Sequence, residues 1–279
     1  MTVYLPHTIE EATALLEAHP HALVLGGGTD VMVEINFNHR KPSDVVALRN
    51  VDELRTWTIN NETSSIYIGA GVPYSEMESG ELQKVAPALA AAARTVGSPQ
   101  IRAAGTLGGN LGTCSPAGDS LPVLSALNAE VHLASSHGVR SVPFAEYMVG
   151  PKRTSRTATE MITGVTIPKA NGWQGYSKVG VRNAMVISVA SACLAIQDDM
   201  VRLALGSVGP TIIRCVEAEK WLHENFATLS DLQPADCAEF GRRAASEAKP
   251  IDDHRSTAEY RRHAISVLAQ RLLQRSIQS

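Results

Sequence analysis

Cysteine is sparse in this sequence of 279 residues, and its four cysteines lie far apart, at Cys114, Cys193, Cys215 and Cys237. They form no CxxC pair, whereas zinc and iron–sulfur sites are built from clustered thiolates. The nine histidines show no HExxH spacing. We therefore expect no metal site on this chain, and we expect free thiols of the kind found in a reducing compartment.

Long apolar runs are also missing, since none approaches the roughly 20 residues that a membrane-spanning helix needs. The N-terminus, MTVYLPHTIEEA, has no basic region followed by an apolar stretch, so a secretory signal is not expected. Basic residues number 25 against 28 acidic ones, and they form no dense stripe. This balance argues against nucleic-acid binding. The sequence predicts a cytoplasmic protein without a membrane span.

The length and the order of the segments predict two domains of the α+β class. The segment 169–175 is rich in turn-forming residues and is the best candidate for a boundary. We expect one domain over 1–168, with subdomains of about 1–56 and 57–168, and a smaller C-terminal α+β domain over 175–279. Helices are predicted at 8–18, 83–96, 217–223 and 257–276. Strands are predicted at 21–25, 44–48, 65–72, 131–134, 140–143, 161–167, 175–179, 186–196 and 202–208.

The strongest local feature is the run Gly26-Gly27-Gly28-Thr29-Asp30, which comes directly after a predicted buried strand. Because glycine has no Cβ, successive glycines let backbone N–H groups converge on an anion. Such a loop suits a phosphate or pyrophosphate, with the Thr29 hydroxyl as a further donor. A tight turn without a ligand explains the run equally well. The run is neither a GxGxxG fingerprint nor a P-loop.

A second glycine loop is predicted at Gly105-Thr106-Leu107-Gly108-Gly109-Asn110. It repeats the pairing of a hydroxyl with a double glycine, and two such loops can clasp one pyrophosphate from both sides. Asn110 offers both an amide donor and an acceptor. Further along, Asp119 ends a polar turn. Its carboxylate is a candidate acceptor for a flavin imide N–H, or alternatively the N-cap of a following helix.

These residues resemble the FAD-binding medium subunits of molybdenum hydroxylases, the family of xanthine dehydrogenase and carbon monoxide dehydrogenase. The resemblance runs over nearly the whole chain. It rests on the run 26–30, on Gln100-Ile101-Arg102 with 105–110, on 117–119 with Pro122, on 160–168, and on 175–178 with Arg182. The segments 31–36 and 176–180 look most like those of bacterial purine-oxidising members. One departure is Val96, which stands where eukaryotic relatives have an aromatic residue near the flavin.

The resemblance implies an FAD-binding fold of the vanillyl-alcohol-oxidase (PCMH) type with two subdomains. By matching positions, the following residues would bind FAD: Val24, Leu25, Gly26, Gly27, Gly28, Thr29, Asp30, Val31, Thr106, Leu107, Gly108, Gly109, Asn110, Asp119, Ile162, Tyr176 and Lys178. Tyr176 is similar to a tyrosine that shields the flavin in the carbon monoxide enzymes. Without the resemblance, Lys178 is better explained as a solvated surface lysine.

The resemblance also implies that this chain carries no substrate-hydroxylating residue. A large molybdopterin-binding subunit would oxidise the substrate, and a small 2Fe–2S subunit would carry electrons to FAD, which passes them to NAD+ or another acceptor. We expect a xanthine dehydrogenase-like oxidoreductase. The alternatives are a carbon monoxide, aldehyde or N-heterocycle dehydrogenase subunit, a self-contained flavin oxidoreductase of the same fold, and a non-catalytic nucleotide-binding or scaffold protein.

Overall fold

The protein is a mixed structure of helices and strands, and the computed structural model describes residues 1–278. The strands are β1 (Thr2–Tyr4), β2 (Leu23–Leu25), β3 (Asp44–Ala47), β4 (Trp57–Asn60), β5 (Ser65–Gly69), β6 (Glu130–Ser135), β7 (Gly138–Pro143), β8 (Met148–Gly150), β9 (Arg153–Thr154), β10 (Met161–Pro168), β11 (Gln174–Val179), β12 (Ala190–Gln197), β13 (Met200–Gly206) and β14 (Ile213–Arg214). The α+β class predicted from the sequence is confirmed.

The helices begin and end as follows: α1 (Ile9–Ala18), α2 (Val31–Asn36), α3 (Tyr74–Met77), α4 (Gly80–Val85), α5 (Pro87–Arg94), α6 (Pro99–Ala104), α7 (Leu107–Thr113), α8 (Ser120–Ala126), α9 (Phe144–Tyr147), α10 (Val216–Asn225), α11 (Pro234–Glu247) and α12 (Ala258–Ile277). Short 3-10 helices occupy Leu48–Asn50, Asp52–Arg55 and Leu229–Asp231.

Two compact units share the chain in an interleaved order. Unit 1 comprises Met1–Met77, Ser98–Cys114 and Asn128–Lys169, and unit 2 comprises Glu78–Gly97, Ser115–Leu127 and the residues from Ala170 onward. The segments 78–97 and 115–127 therefore group with the C-terminal part of the chain, although they lie between parts of unit 1 in sequence.

Unit 1 contains a parallel sheet in the order β1-β3-β2 and an antiparallel sheet in the order β4-β5-β10-β6-β7. The parallel sheet ends at Leu25, which pairs with Ala47. In the antiparallel sheet, β10 lies at the centre and its Val165 pairs with both Ile68 and Val131. All three of these side chains are buried, so the centre of this sheet forms part of the core of unit 1.

Unit 2 contains the antiparallel sheet β11-β12-β13-β14 and the helices α4, α5, α8, α10, α11 and α12. Leu194 and Leu203 of the sheet share a buried cluster with Phe240 of α11 and Ile265 of α12. Helices α11 and α12 pack closely, because a Cβ on Gly241 would lie 2.3 Å from the carbonyl oxygen of Ser266. Glycine at this position therefore sets the distance between the two helices.

The sequence predicted α1 and the β6–β7 hairpin correctly. Thr8 accepts a hydrogen bond from the Glu11 amide, as a helix N-cap does. Several elements were missed, among them β1, β4, β8, β9, β14, α2, α6, α9 and α11. Helix α11 carried a readable signal, because Gln233 and Asp236 form a reciprocal capping box and Pro234 occupies the first turn.

Two other predictions need correction. The single helix expected over 83–96 is two helices, since Pro87 begins α5 and the preceding Ala86 leaves the helical conformation. The second glycine loop is helix α7 over most of its length. Thr106 caps that helix, and both Gly108 and Gly109 lie inside it.

Candidate functional site

The first glycine run forms an open bend between β2 and α2 in unit 1. Gly28 has a φ of 74°, a conformation that favours glycine over other residues. No hydrogen bond within residues 1–278 occupies the amide N–H groups of Gly26, Gly27 and Gly28. Consecutive unoccupied amides of this kind attract the oxygens of an anion.

Gly27 lies directly against the backbone that leads into the second glycine segment. A Cβ at this position would lie 1.7 Å from the carbonyl oxygen of Ala104. A Cβ on Gly26 would lie 3.3 Å from Oγ1 of Thr106. The structure thus brings the two predicted glycine segments together, and the contact depends on the absence of a side chain at Gly27.

The second segment differs chemically from the first because most of its backbone amides already donate hydrogen bonds within the protein. The amide of Leu107 donates to the carbonyl of Val72, and that of Gly108 donates to the carbonyl of Ala70 at 2.8 Å. The amide of Gly109 donates to Oγ1 of Thr106 at 3.0 Å. The amide of Thr106 has no acceptor among residues 1–278, so this amide and the Thr106 hydroxyl are the groups of this segment that can meet a ligand.

Gly108 serves packing. A Cβ there would lie 2.5 Å from the Cβ of Ala70, so glycine allows α7 to lie close to the segment that follows β5. This explains one of the glycines that the sequence pattern assigned to phosphate binding by analogy with the first run.

Asp30 ends the glycine run, and a carboxylate that pointed at a bound phosphate would repel it. In the structure the hydroxyl of Thr113 donates to Oδ2 of Asp30 at 3.1 Å. This bond joins the start of α2 to the end of α7. Asp30 thus has a structural partner, and Thr113 is a residue of this site that sequence reasoning missed.

The remaining predicted residues of unit 1 lie near these segments or behind them. Val24 and Leu25 belong to β2, and Val31 packs against the small buried cluster beneath it. Ile162 lies on β10, is buried, and its Cδ1 lies 3.8 Å from the Cβ position of Gly112 in α7. Residue 162 is therefore placed against the helix that Thr106 begins.

Unit 2 has a separate buried polar cluster centred on Asp119. Its Oδ1 accepts a hydrogen bond from the Tyr176 hydroxyl at 2.7 Å, and its Oδ2 accepts one from Nζ of Lys178 at 2.6 Å. The Thr95 hydroxyl, which donates to the carbonyl of Ala92 at 2.8 Å, also lies 3.4 Å from Oδ2 in a weaker, shared hydrogen bond. The structure thus joins three residues that the resemblance assigned to FAD, all within one unit.

Lys178 is almost completely buried, with 8% of its side chain exposed. Its ammonium donates to three acceptors, which are Asp119 and the carbonyl oxygens of Thr95 and Val186. The interpretation of Lys178 as a solvated surface residue is therefore wrong. Asp119 occupies the N-cap position of α8, as the alternative interpretation predicted, but its side chain makes no capping hydrogen bond.

Burial and charge act in opposite directions in this cluster. Burial raises the pKa of the Asp119 carboxyl, while the charge and hydrogen bond of Lys178 act to lower it. Burial also raises the pKa of the Tyr176 hydroxyl, and the nearby Asp119 carboxylate raises it further. Tyr176 therefore remains a neutral donor, and Asp119 and Lys178 form a buried ion pair.

Thr95 is the other residue that sequence reasoning missed. It caps the C-terminus of α5 and supplies both its hydroxyl and its carbonyl to the cluster. Its neighbour Val96 differs from the aromatic residue of eukaryotic relatives, but this difference does not point to Thr95. No local pattern marks Thr95, because its partners lie 24 and 83 residues away in the sequence.

Among residues 1–278, no group of three or more potential metal-ligating side chains is found. Within the same described residues, no helix is long and apolar enough to cross a membrane.

Two family models together match almost the entire sequence. Residues 1–170 match the FAD binding domain in molybdopterin dehydrogenase, and residues 176–276 match the CO dehydrogenase flavoprotein C-terminal domain. The chain belongs to the family of molybdenum hydroxylase flavin subunits. Its cofactor is FAD, and the family assignment made from the glycine segments is confirmed.

Curated relatives cover nearly the full length of this family member. The chain is 30% identical to the glyceraldehyde dehydrogenase medium chain of Sulfolobus acidocaldarius, over 94% of this chain and 92% of the relative. It is 28% identical to a putative xanthine dehydrogenase FAD-binding subunit of Escherichia coli, over 97% and 94%. The relatives are flavin subunits of oxidoreductases, and this chain is an oxidoreductase flavin subunit as well.

The fold of this flavin subunit is found in solved structures. A chain of quinoline 2-oxidoreductase from Pseudomonas putida 86 superimposes with a TM-score of 0.92 at 23% identity, covering 100% of this chain and 97% of the other. The expectation of a flavin-binding domain followed by a C-terminal domain of this family is therefore confirmed at the level of the fold.

Proposed function

We propose that this flavin subunit transfers electrons within a molybdenum hydroxylase complex. In this proposal a large partner subunit with the molybdenum cofactor oxidises the substrate, and a small 2Fe–2S partner passes the electrons to FAD on this chain. FAD can accept and release electrons singly or as a hydride, so it can deliver them to NAD+ or to another acceptor. The protein contributes the binding, the orientation and the electrostatic surroundings of the cofactor.

The observation that carries the proposal is the set of unoccupied amides at Gly26, Gly27 and Gly28. The pyrophosphate of FAD presents the anionic oxygens that such a bend attracts. The neighbouring Thr106 supplies further hydrogen-bonding groups. We assign pyrophosphate binding to residues 24–31 together with 106–110, with backbone donors from the first segment and the amide and hydroxyl of Thr106 from the second.

We also propose that Ile162, Asp119, Tyr176 and Lys178 contact FAD, as the resemblance implies. For Lys178 the hydrogen bonds of the free protein indicate how a contact with FAD could form. Its ammonium already has three acceptors at 2.6–3.1 Å, so a contact with the cofactor requires one of these hydrogen bonds to be shared or exchanged. We expect the longest of them, the hydrogen bond to the carbonyl of Val186, to break when Lys178 contacts FAD.

For the substrate of the complex we propose purines of the xanthine type. Support comes from the segments 31–36 and 176–180 and from the xanthine dehydrogenase subunit among the relatives. The glyceraldehyde dehydrogenase relative supports the rival class of aldehydes.

The substrate test uses the complex purified with its partners, assayed with xanthine, glyceraldehyde and carbon monoxide, and with NAD+ and ferricyanide as acceptors. NAD+ reduction with xanthine alone supports the proposal, whereas turnover of glyceraldehyde alone rejects it.

The cytoplasm is the proposed location of the complex. All four cysteines are buried and unpaired, as is usual for a protein kept in a reducing compartment.

The test of cofactor binding is a titration of the apoprotein with FAD and with FMN, followed by visible absorption and by protein fluorescence. FMN lacks the pyrophosphate and the adenosine. Binding of FAD that is at least about 100-fold tighter than that of FMN, roughly 2.7 kcal/mol, would support pyrophosphate recognition by the glycine bend. Equal affinities would show that the amides of Gly26–Gly28 do not contribute to binding.

A further inference from the structure

Helix α2 is an apolar helix whose side chains are not buried. Its sequence is VMVEIN, and none of its residues reaches full burial. Val31 and Ile35 lie partly against the small cluster of unit 1. Met32, Val33 and the following Phe37 project into solvent with exposures of 42%, 52% and 70%. We call Met32, Val33 and Phe37 the α2 patch.

Adjacent apolar side chains with this degree of exposure are characteristic of interaction sites. The α2 patch comes directly after the glycine run, and a Cβ on Gly28 would lie 3.4 Å from Cγ of Met32. A partner seated on the patch would therefore lie beside the bend to which we assign the FAD pyrophosphate.

The rim of the α2 patch is basic. The backbone amides of His39 and Arg40 both donate to the carbonyl of Glu34, so the segment after Phe37 folds back against α2. Lys41 follows, and the turn that carries Lys152 and Arg153 is tied to α2 by a Lys152–Glu34 ion pair of 2.8 Å. We call Arg40, Lys41, Lys152 and Arg153 the basic rim, and all four side chains are exposed.

The charge of the rim indicates which partner fits. Two carboxylates, those of Glu34 and Asp30, lie among its four cations, so the rim keeps a net positive charge. A 2Fe–2S cluster held by four thiolates has a net charge of about −2 when both irons are ferric, and it becomes more negative on reduction. An apolar centre with a charged rim is the usual anatomy of a specific protein interface.

We infer that the α2 patch and its basic rim form the docking surface for the 2Fe–2S subunit. This inference rests on the proposed function, which requires such a partner. The inference adds the place where the partner subunit binds. It also gives a reason for the partner's orientation, because the side of the partner that holds the anionic cluster would face the cations beside the glycine bend. A second copy of this chain is a poorer fit, because two basic rims would repel each other.

The experiment uses the complex purified from its native host through a tag on this chain. Iron, acid-labile sulfide and FAD are measured per tagged chain for the wild type and for the variants Val33→Glu and Phe37→Glu. Val139→Glu is the matched control, because Val139 is 84% exposed on β7 of the same unit. We expect the two α2 variants to lose at least about 80% of the iron and sulfide while keeping FAD, and we expect the control to keep all three. Lys41→Glu should weaken iron retention most at low salt concentration, and its difference from the wild type should shrink as the salt concentration rises.

Other results would overturn the inference in recognisable ways. Equal iron in Val33→Glu and Val139→Glu would show that the patch is not the docking surface. Loss of FAD together with retained iron would assign the patch to the cofactor. A change in self-association with retained iron would assign it to a second copy of this chain. A wild-type complex without iron would overturn both the inference and the proposed electron source, whereas a wild type with iron and FAD leaves the proposed function standing whatever the variants do.

Discussion

Gly27 and Ala104 approach each other so closely that no side chain fits between them, since a Cβ on Gly27 would lie 1.7 Å from the carbonyl oxygen of Ala104. Residues that are far apart in sequence thereby place the bend of free amides beside the start of α7. This contact makes the glycine run a part of the tertiary structure as well as a candidate phosphate site.

Substitution of Gly27 by alanine should therefore disrupt cofactor binding. The added methyl group must displace backbone atoms, which we expect to lower the free energy of unfolding by about 1–3 kcal/mol and to weaken FAD binding by at least tenfold, about 1.4 kcal/mol. Gly112→Ala is the control, because its Cβ would meet only the Ile162 side chain at 3.8 Å. Fluorescence titration with FAD measures both variants, and equal affinities would contradict the prediction.

The buried pair of Asp119 and Lys178 should be strongly coupled. Asp119→Asn or Lys178→Met alone leaves one partner buried without its counter-charge, and we expect each to lower the free energy of unfolding by about 3 kcal/mol. The double variant should lose less than the sum of the single losses. Urea denaturation measures all three variants. Lys84→Met serves as the control, since its pair with Glu81 is highly exposed and should matter by less than about 0.5 kcal/mol. Additive losses would show that the pair is not coupled.

Stability at acidic pH should depend on Glu160. Two hydrogen bonds from Arg140, at 2.5 and 2.9 Å, lower the pKa of Glu160 to about 2 from an ordinary value of 4.5. A carboxyl whose folded pKa is depressed contributes stability above its unfolded pKa. That contribution is lost as the pH falls from about 4.5 through about 2. Because Arg140 is nearly half exposed, we expect the contribution to be about 1–2 kcal/mol.

The measurement is the denaturation of Arg140→Met and of the wild type at several pH values. The difference between them should be largest above pH 5 and should shrink toward pH 2. Arg153→Met, an exposed arginine of the same unit, should show no such pH-dependent difference. A constant difference for Arg140→Met would show that the ion pair with Glu160 is not its source.

For Gly241→Ala, helix propensity and packing predict opposite changes in the free energy of unfolding. Alanine is favoured over glycine inside a helix by about 1 kcal/mol. A Cβ at Gly241, however, would lie 2.3 Å from the carbonyl oxygen of Ser266 on α12. We expect Gly241→Ala to lower the melting temperature and the free energy of unfolding by about 1–3 kcal/mol. Ser246→Ala on the exposed side of α11 should change stability by less than about 0.5 kcal/mol, and stabilisation by Gly241→Ala would refute the close packing.

The sequence by itself was sufficient for features that depend on neighbouring residues. Thr8 with its acidic first turn marked α1, and alternation around a short turn marked the β6–β7 hairpin. The glycine run after β2 led to the correct family and to FAD. These signals were readable because capping, strand alternation and glycine freedom act over a few residues.

Only the tertiary structure decided what residues do for distant partners. The sequence assigned Thr106 and Gly108 to a second phosphate-binding segment, and the structure adds that Thr106 caps a helix and that Gly108 admits the close approach of Ala70. Without the family resemblance Lys178 is interpreted as a surface residue, yet it is buried against Asp119 and Thr95, 59 and 83 residues away. Local periodicity contains no information about such contacts, because they form only when separate segments pack together and exclude water from their polar groups.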